Sequence, residues 1–376
     1  MLNDMVGNML SIANRGIDVI RLDAVPYIWK ELGTSCRNLP TVHSLVRMMR
    51  IITEIVCPSV LLLGEVVMEP SKVVPYFGTV EKPECHMLYN VTTMASTWHT
   101  VATKDVRLLK RQMNQLSELP KDYIFLNYLR CHDDIGWGLD YDWLKQFGIS
   151  EIPHKKFLND YFTGKFPDSN ARGELYNNDP RLGDARLCGT TASLCGIEAA
   201  LEEKDTDKLE KSIDCDIMLH AYMLTQSGIP VLYSGDEIGQ LNDYSYHDNP
   251  EKSVDSRYLH RGKFNWKLAE NCDDSDTVQG RIFQSILKLE KCRAENEVFR
   301  AEADFQTVDT GSDSVLGICR EYENKKLLAY FNFSDNAQSV FLDGVKSGRD
   351  LFTDDEVCSI SIELKPYGFS WLLLDE

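Results

Sequence analysis

The sequence predicts an α/β fold of parallel βα units followed by a separate antiparallel β domain. Three observations predict it. Short, continuously apolar strands alternate with helices of amphipathic period up to about residue 300. From about Ala301 the helical period disappears and short alternating segments take over. Three of the early strands end in acidic residues, the arrangement of a (β/α)8 TIM barrel whose strand ends surround one active site.

The elements follow in order. Leu2, Met5, Val6, Met9, Leu10 and Ala13 recur at helical spacing, and Gly16 stands where a C-terminal glycine belongs. Ile17 to Asp23 reads as a short buried strand, Thr41 to Val56 as a long helix, and Ser59 to Glu65 as the next strand. Further strands are predicted at His86 to Val91, Tyr123 to Arg130 and Ile229 to Tyr233, with a helix-rich stretch from Met94 to Leu116. Residues 135–190, rich in Gly, Asn, Asp and aromatic side chains, break the rhythm and read as an insertion of the kind that shapes a binding site. The helix Arg281 to Arg293 leads into a β-sandwich domain over residues 301–376. Its predicted strands are Val315 to Arg320, Leu327 to Phe333, Gln338 to Leu342, Val357 to Leu364 and Phe369 to Leu374, with a turn at Glu323-Asn324. The expected division is therefore 1–300 and 301–376.

Composition narrows the function classes. With 376 residues, 43% hydrophobic and 26% charged, the chain is neither disordered nor fibrous. No apolar run approaches the ~18 residues of a membrane span. A net charge of −18 argues against nucleic acid or an anionic membrane as partner and fits neutral ligands. The 11 cysteines contain no CxxC pair, which argues against structural zinc and against a disulfide framework. A reducing cytoplasm is the expected location.

The strand-end acids suggest a retaining glycosidic mechanism. One carboxylate must attack the anomeric carbon while a second delivers a proton to the leaving oxygen. Arg21 precedes Asp23 by two residues, so strand alternation sets both side chains on one face, where the guanidinium would hold Asp23 ionised. Glu65 follows Leu61, Leu62, Leu63 and Gly64, an apolar approach suited to a proton donor. His132 and Asp133, at the end of the fourth strand, could grip sugar hydroxyls.

The run Gly16 to Ala24, the pair Gly64-Glu65 and the triplet His132-Asp133-Asp134 resemble, in order and spacing, the strand-4, strand-5 and strand-7 motifs of the α-amylase superfamily. Longer runs resemble its amylosucrase branch: Trp29 to Cys36, Glu84-Cys85, Tyr128 to Trp137, Ala171-Arg172-Gly173, Gly183 to Arg186, Gly235 to Gly239 and Asp255 to Arg261. Where amylosucrases commonly have Ser-Glu at strand 5, this chain has Gly64-Glu65.

The resemblance implies a nucleophile at Asp23, an acid/base at Glu65 and a transition-state stabiliser at Asp133. It places Arg21, His132 and Arg257 around the glucosyl subsite, and Asp134 and Arg186 near the acceptor side. The implied reaction is cleavage of sucrose through a covalent glucosyl-enzyme, with transfer to an α-glucan or to water; other α-glucosidic hydrolysis or isomerisation is the alternative. No cofactor or metal is needed by that chemistry. By the same resemblance the chain holds only strands 4 to 8 of the barrel, with the insertion after strand 7. The expectation is the C-terminal portion of a longer enzyme, whose partner is the missing N-terminal part and which alone is an inactive truncated fragment or nearly so.

Overall fold

A computed structural model describes residues 2–68 and 70–375. The chain forms two compact units, one running up to Thr92 and including Leu119–Asn127, the other made of Thr93–Glu118 and the chain from Tyr128 onward.

The first unit holds four parallel strands side by side in chain order, β1 (Val19–Leu22), β2 (Leu61–Gly64), β3 (Met87–Tyr89) and β4 (Ile124–Asn127). The register pairs Val19 with Leu61 and Leu22 with Gly64, then Leu63 with Met87 and Met87 with Ile124. Parallel strands need long crossovers, and the helix Pro40–Val56 supplies the first. Its proline occupies the first turn, where the missing N–H costs nothing. Met9, Ile20, Val60 and Leu62 form a buried cluster that Leu10, Met49 and Ile52 close from the helices Leu2–Ala13 and Pro40–Val56. Gly16, at φ 83°, turns the chain from the first of these helices toward β1, a backbone conformation that costs glycine little. His86 locks β2 to the start of β3: its Nδ1 accepts from the Leu62 N–H at 2.9 Å, and its own N–H donates to the Leu62 carbonyl at 3.0 Å. Just beyond β3, Asn90 donates to Oδ1 of Asn127, the last residue of β4, at 2.8 Å.

The second unit contains the helices Val91–Thr103 (from Thr93) and Arg107–Ser117, the insertion, a helical stretch from Thr191 to Thr225, β8 (Ile229–Pro230) and the C-terminal sheets. The insertion is more ordered than its composition suggests. It has a helix, Glu151–Phe162, and a three-stranded antiparallel sheet in which β7 (Asp184–Cys188) lies between β5 (Ile135–Gly136) and β6 (Glu174–Asp179). The C-terminal strands are β9 (Asp304–Val308), β10 (Val315–Tyr322), β11 (Lys325–Asn332), β12 (Gln338–Phe341), β13 (Gly348–Asp350), β14 (Glu356–Val357), β15 (Ser361–Leu364) and β16 (Phe369–Leu374). Six of them form one antiparallel sheet, in the order β14-β13-β16-β11-β10-β9, and β12 pairs with β15 apart from it. Val315, Cys319, Leu328, Tyr330 and Leu372 of the large sheet share one core with Val340 and Leu364 of the small one. The predicted turn is present: Glu323-Asn324 joins Tyr322 to Lys325 as a two-residue hairpin loop, with Glu323 at φ 53°.

Several expected elements are shorter or divided. The strands end before their acids: Asp23 follows β1, Glu65 follows β2, and His132 to Asp134 lie five residues and more beyond β4. The stretch Val357 to Leu364 is two strands, β14 and β15, on different sheets. The helix Thr206–Thr225 lacks a sequence signal because every residue from Cys215 to Thr225 is buried, leaving no polar face to set a period. All 11 cysteines are free thiols. Among the described residues, no helix is long and apolar enough to cross a membrane.

Arg320, fully buried on β10, ties the large sheet to the rest of its unit. Its Nε donates to the Val298 carbonyl at 2.6 Å, one Nη to the Thr225 carbonyl at 3.0 Å and to Ser227 Oγ at 2.9 Å, the other to the Arg300 carbonyl at 2.7 Å. Burial, with Arg293 nearby, lowers its pKa to about 9. Arg320→Met should therefore cost at least about 3 kcal/mol in urea unfolding, because it leaves several buried acceptors without donors; a loss below about 1 kcal/mol would contradict this account. His86 supplies a second prediction. Burial, helped by Arg50, pushes its pKa down from 6.5 to about 4. The neutral ring's contribution is complete above about pH 6.5 and is lost as pH falls toward about 4. His86→Gln can still accept the Leu62 N–H without titrating, so it should flatten the stability–pH slope in that window; equal slopes would exclude His86 as a source.

Candidate active site

In the first unit the sheet register builds the site. Because Leu22 pairs with Gly64, the next residues, Asp23 and Glu65, leave adjacent strand ends together. The Glu65 N–H donates to the Leu22 carbonyl at 3.0 Å, and the Glu65 carbonyl accepts from the Val25 N–H at 3.3 Å. Arg21 serves both acids: Nη1 lies 2.6 Å from Asp23 Oδ1 and Nη2 lies 2.9 Å from Glu65 Oε1. Burial works against the guanidinium charge, but Asp23 and Glu65 outweigh it and hold the Arg21 pKa above its ordinary value. The Arg21 plane also stands 5.6 Å from the Tyr89 ring at the end of β3. Ala24 takes a left-handed conformation, φ 45° and ψ 41°, and its N–H donates to Glu65 Oε2 at 2.9 Å. The shared face expected of Arg21 and Asp23 is present. The apolar setting expected for Glu65 is not: the leucines of β2 turn into the core, and the carboxylate sits between a guanidinium and a backbone N–H. Asp23 is 75% exposed and Glu65 17%, so the two acids meet solvent very differently.

In the second unit, Asp133 is the hub. His132 Nε2 lies 3.2 Å from its Oδ2, and Arg257 Nη1 and Arg261 Nη2 lie 3.3 and 3.2 Å from its Oδ1. Arg257 is itself aimed by a bidentate pair with Asp255, both contacts at 2.8 Å, which holds its pKa above the ordinary value. The guanidinium stacks 4.8 Å from the Tyr176 ring of β6. Arg186 of β7 approaches Asp134 at 3.8 Å, and burial raises the Asp134 pKa against the pull of Arg186. Gly136 makes room for that arginine, since a Cβ there would fall 1.9 Å from Arg186 Nη1. The insertion thus contributes Tyr176 and Arg186 to the surroundings of Asp133 and Asp134.

Beneath this cluster lies a buried layer. Arg130 Nε donates to Asp236 at 2.8 Å and faces the Tyr233 ring at 4.5 Å. His260 Nδ1 accepts from the Gly189 N–H at 3.1 Å, which leaves Nε2 as the protonated nitrogen, 3.4 Å from the His132 carbonyl. Burial, with Arg130 beside it, lowers the His260 pKa to about 3 and keeps the ring neutral. Arg261 and Asp255 received no role from the sequence, although both stand in the run Asp255 to Arg261. The available signal was the Asp-x-Arg spacing, in which Asp255 caps the short helix Ser256–His260 and orients Arg257, one turn before Arg261. Cys131, His132 and Asp133 place three ligand-type atoms within 4.8 Å of one another, a grouping common in the absence of any ion.

No protein-family model matches the chain. Over 372 residues, 98% of its length, it is 26% identical to a glucosylglycerate phosphorylase of Escherichia coli (strain K12), and it spans 62% of that protein. It is 27% identical over 270 residues to a trehalose synthase/amylase of Mycolicibacterium smegmatis, matching 71% of this chain and 38% of the other. In fold it resembles sucrose 6F-phosphate phosphorylase from Thermoanaerobacter thermosaccharolyticum, with a TM-score of 0.66, 19% identity and coverage of 95% of this chain and 62% of that one. These relatives are phosphorylases and a trehalose synthase, so the similarity reaches the superfamily and not the amylosucrase branch in particular. By sequence and by fold, the chain is similar to enzymes of the α-amylase superfamily.

Proposed function

We propose that this chain carries the catalytic carboxylates of a retaining α-glucosyl-transferring enzyme, with phosphate as the acceptor that its phosphorylase relatives favour. The observation that carries the reading is the clamp in which one guanidinium, Arg21, holds Asp23 and Glu65 at adjoining strand ends. Asp23, the exposed member, attacks the anomeric carbon while Glu65 protonates the departing glycosidic oxygen, and the bond to the aglycone breaks as the ester to Asp23 forms. In the second step Glu65 takes a proton from the acceptor, whose oxygen displaces Asp23 and restores the original anomeric configuration. With phosphate as acceptor the product is α-glucose 1-phosphate; with water it is glucose. Asp133 takes the role of stabiliser, and His132, Arg257, Asp134 and Arg186 that of substrate-binding groups, as the superfamily resemblance implies.

Sucrose as glucosyl donor is the second reading, supported by the runs Tyr128 to Trp137 and Gly235 to Gly239, which resemble amylosucrase. The chain spans less than two thirds of its phosphorylase relative, so turnover by these residues alone is part of the proposal. The deciding assay offers glucosylglycerate, sucrose and maltose in turn, with and without inorganic phosphate, and separates glucose 1-phosphate from glucose. Phosphate-dependent glucose 1-phosphate from glucosylglycerate supports the first reading, and phosphate-independent consumption of sucrose the second. Turnover of none of them assigns the activity to a longer polypeptide.

Two substitutions test the roles. Asp23→Asn should lower kcat at least about a thousandfold, since no covalent intermediate can form; an unchanged rate removes Asp23 as nucleophile. Glu65→Gln should lose most activity on glycosides yet keep the first step with α-glucosyl fluoride, whose leaving group needs no proton. Equal losses on both donors would contradict the acid/base role.

A further inference from the structure

In the second unit a cavity of about 330 Å3 is lined by Asp243, Tyr246, Lys252, Tyr258, Arg261 and Lys263, among others. Three of these side chains are cationic and one is anionic. That balance is unusual in a chain of net charge −18. The single carboxylate is already engaged: Asp243 Oδ1 accepts from the Ser245 N–H at 3.0 Å and from its hydroxyl at 2.6 Å. The cations are positioned by aromatic contact, with Lys252 5.0 Å and Arg261 5.7 Å from the centre of the Tyr258 ring. Among the described residues, neither Lys252 nor Lys263 has a carboxylate partner, whereas Arg261 reaches from the cavity wall to Asp133 at 3.2 Å.

Uncompensated cations held around one pocket raise the local potential and suit a multivalent oxyanion, which can accept from several donors at once. We propose that this cavity is an oxyanion subsite adjoining the Asp133 cluster, taking either inorganic phosphate or the carboxylate of an acidic aglycone such as glycerate. The proposal rests on the phosphorolytic reading above and specifies where its anion is held. Arg261 links the two: a ligand oxygen bonded in the cavity shares its guanidinium with Asp133, so anion binding bears on the position of the stabilising carboxylate.

The test uses the full chain and calorimetric titration with inorganic phosphate, with glycerate, and with uncharged glycerol as control. Lys252→Ala/Lys263→Ala should weaken phosphate or glycerate binding by about tenfold or more, the loss expected when charge-assisted bonds are removed. Lys252→Arg/Lys263→Arg should retain it, and Lys288→Ala, outside the cavity, should leave it unchanged. Weakening of phosphate alone identifies the free anion as the ligand, and weakening of glycerate alone the aglycone. Either result supports the subsite. Unchanged affinity for both anions in the double alanine variant overturns it, as does an equal loss in Lys288→Ala or no anion binding by the wild-type chain. The two proposals fail separately. Lysine-dependent anion binding without any Asp23-dependent turnover removes the enzymatic reading and leaves the subsite. Turnover whose KM values for phosphate and for glucosylglycerate are both the same in the double variant removes the subsite and leaves the enzyme.

Discussion

The register of one parallel strand pair governs the chemistry of the first unit. Parallel strands have evenly spaced, slanted hydrogen bonds, so once Val19 lies against Leu61, every later pairing follows, up to Leu22 against Gly64. The acids come one residue later on each strand. A slip of one position would turn Arg21, together with Asp23, to the opposite face and part it from Glu65. The cluster of Met9, Ile20, Val60 and Leu62 opposes that slip, since it would expose Ile20 and Leu62. Hydrophobic burial on the helix-covered side of the sheet thereby sets the spacing of charges at its edge.

The second unit reaches its arrangement by other means. Here most of the charged groups stand on loops and short 3-10 segments outside any sheet, although the register of β7 against Gly136 and Tyr176 sets Arg186. Instead, each arginine is aimed by a dedicated partner: Arg257 by Asp255 and the Tyr176 ring, Arg130 by Asp236 and the Tyr233 ring. His260, kept neutral by burial, bridges the Gly189 N–H and the His132 carbonyl, so the loop carrying His132 and Asp133 rests on a partner that does not titrate near neutrality.

Much of this organisation was legible in the sequence. The four parallel strands of the first unit, the antiparallel C-terminal strands and the Arg21–Asp23 face followed from apolar runs and alternation, which report burial directly. The second half of the helix Thr206–Thr225 was illegible for the same physical reason, because the stretch from Cys215 to Thr225 is buried on every side and has no period to read. The setting of Glu65 was misread. Leucines before a carboxylate suggest an apolar pocket only if the side chains share a direction, whereas the strand sends them into the core and the chain turns at Gly64. The partnership of Arg261 with Asp133 spans more than a hundred residues, and local pattern carries no information about such a pair.

Ala24 joins the two acids through the backbone. It is a residue with a Cβ in the left-handed region, a conformation costing of order 1 kcal/mol that neighbouring contacts must sustain. Its N–H holds Glu65 Oε2, and the next N–H, that of Val25, holds the Glu65 carbonyl. These two amides close a small ring of bonds between the ends of β1 and β2. Opening the ring releases both amides to water at the same moment that it frees the carboxylate. Their hydrogen-exchange protection is therefore a gauge of how firmly the Glu65 carboxylate is seated, readable without any substrate.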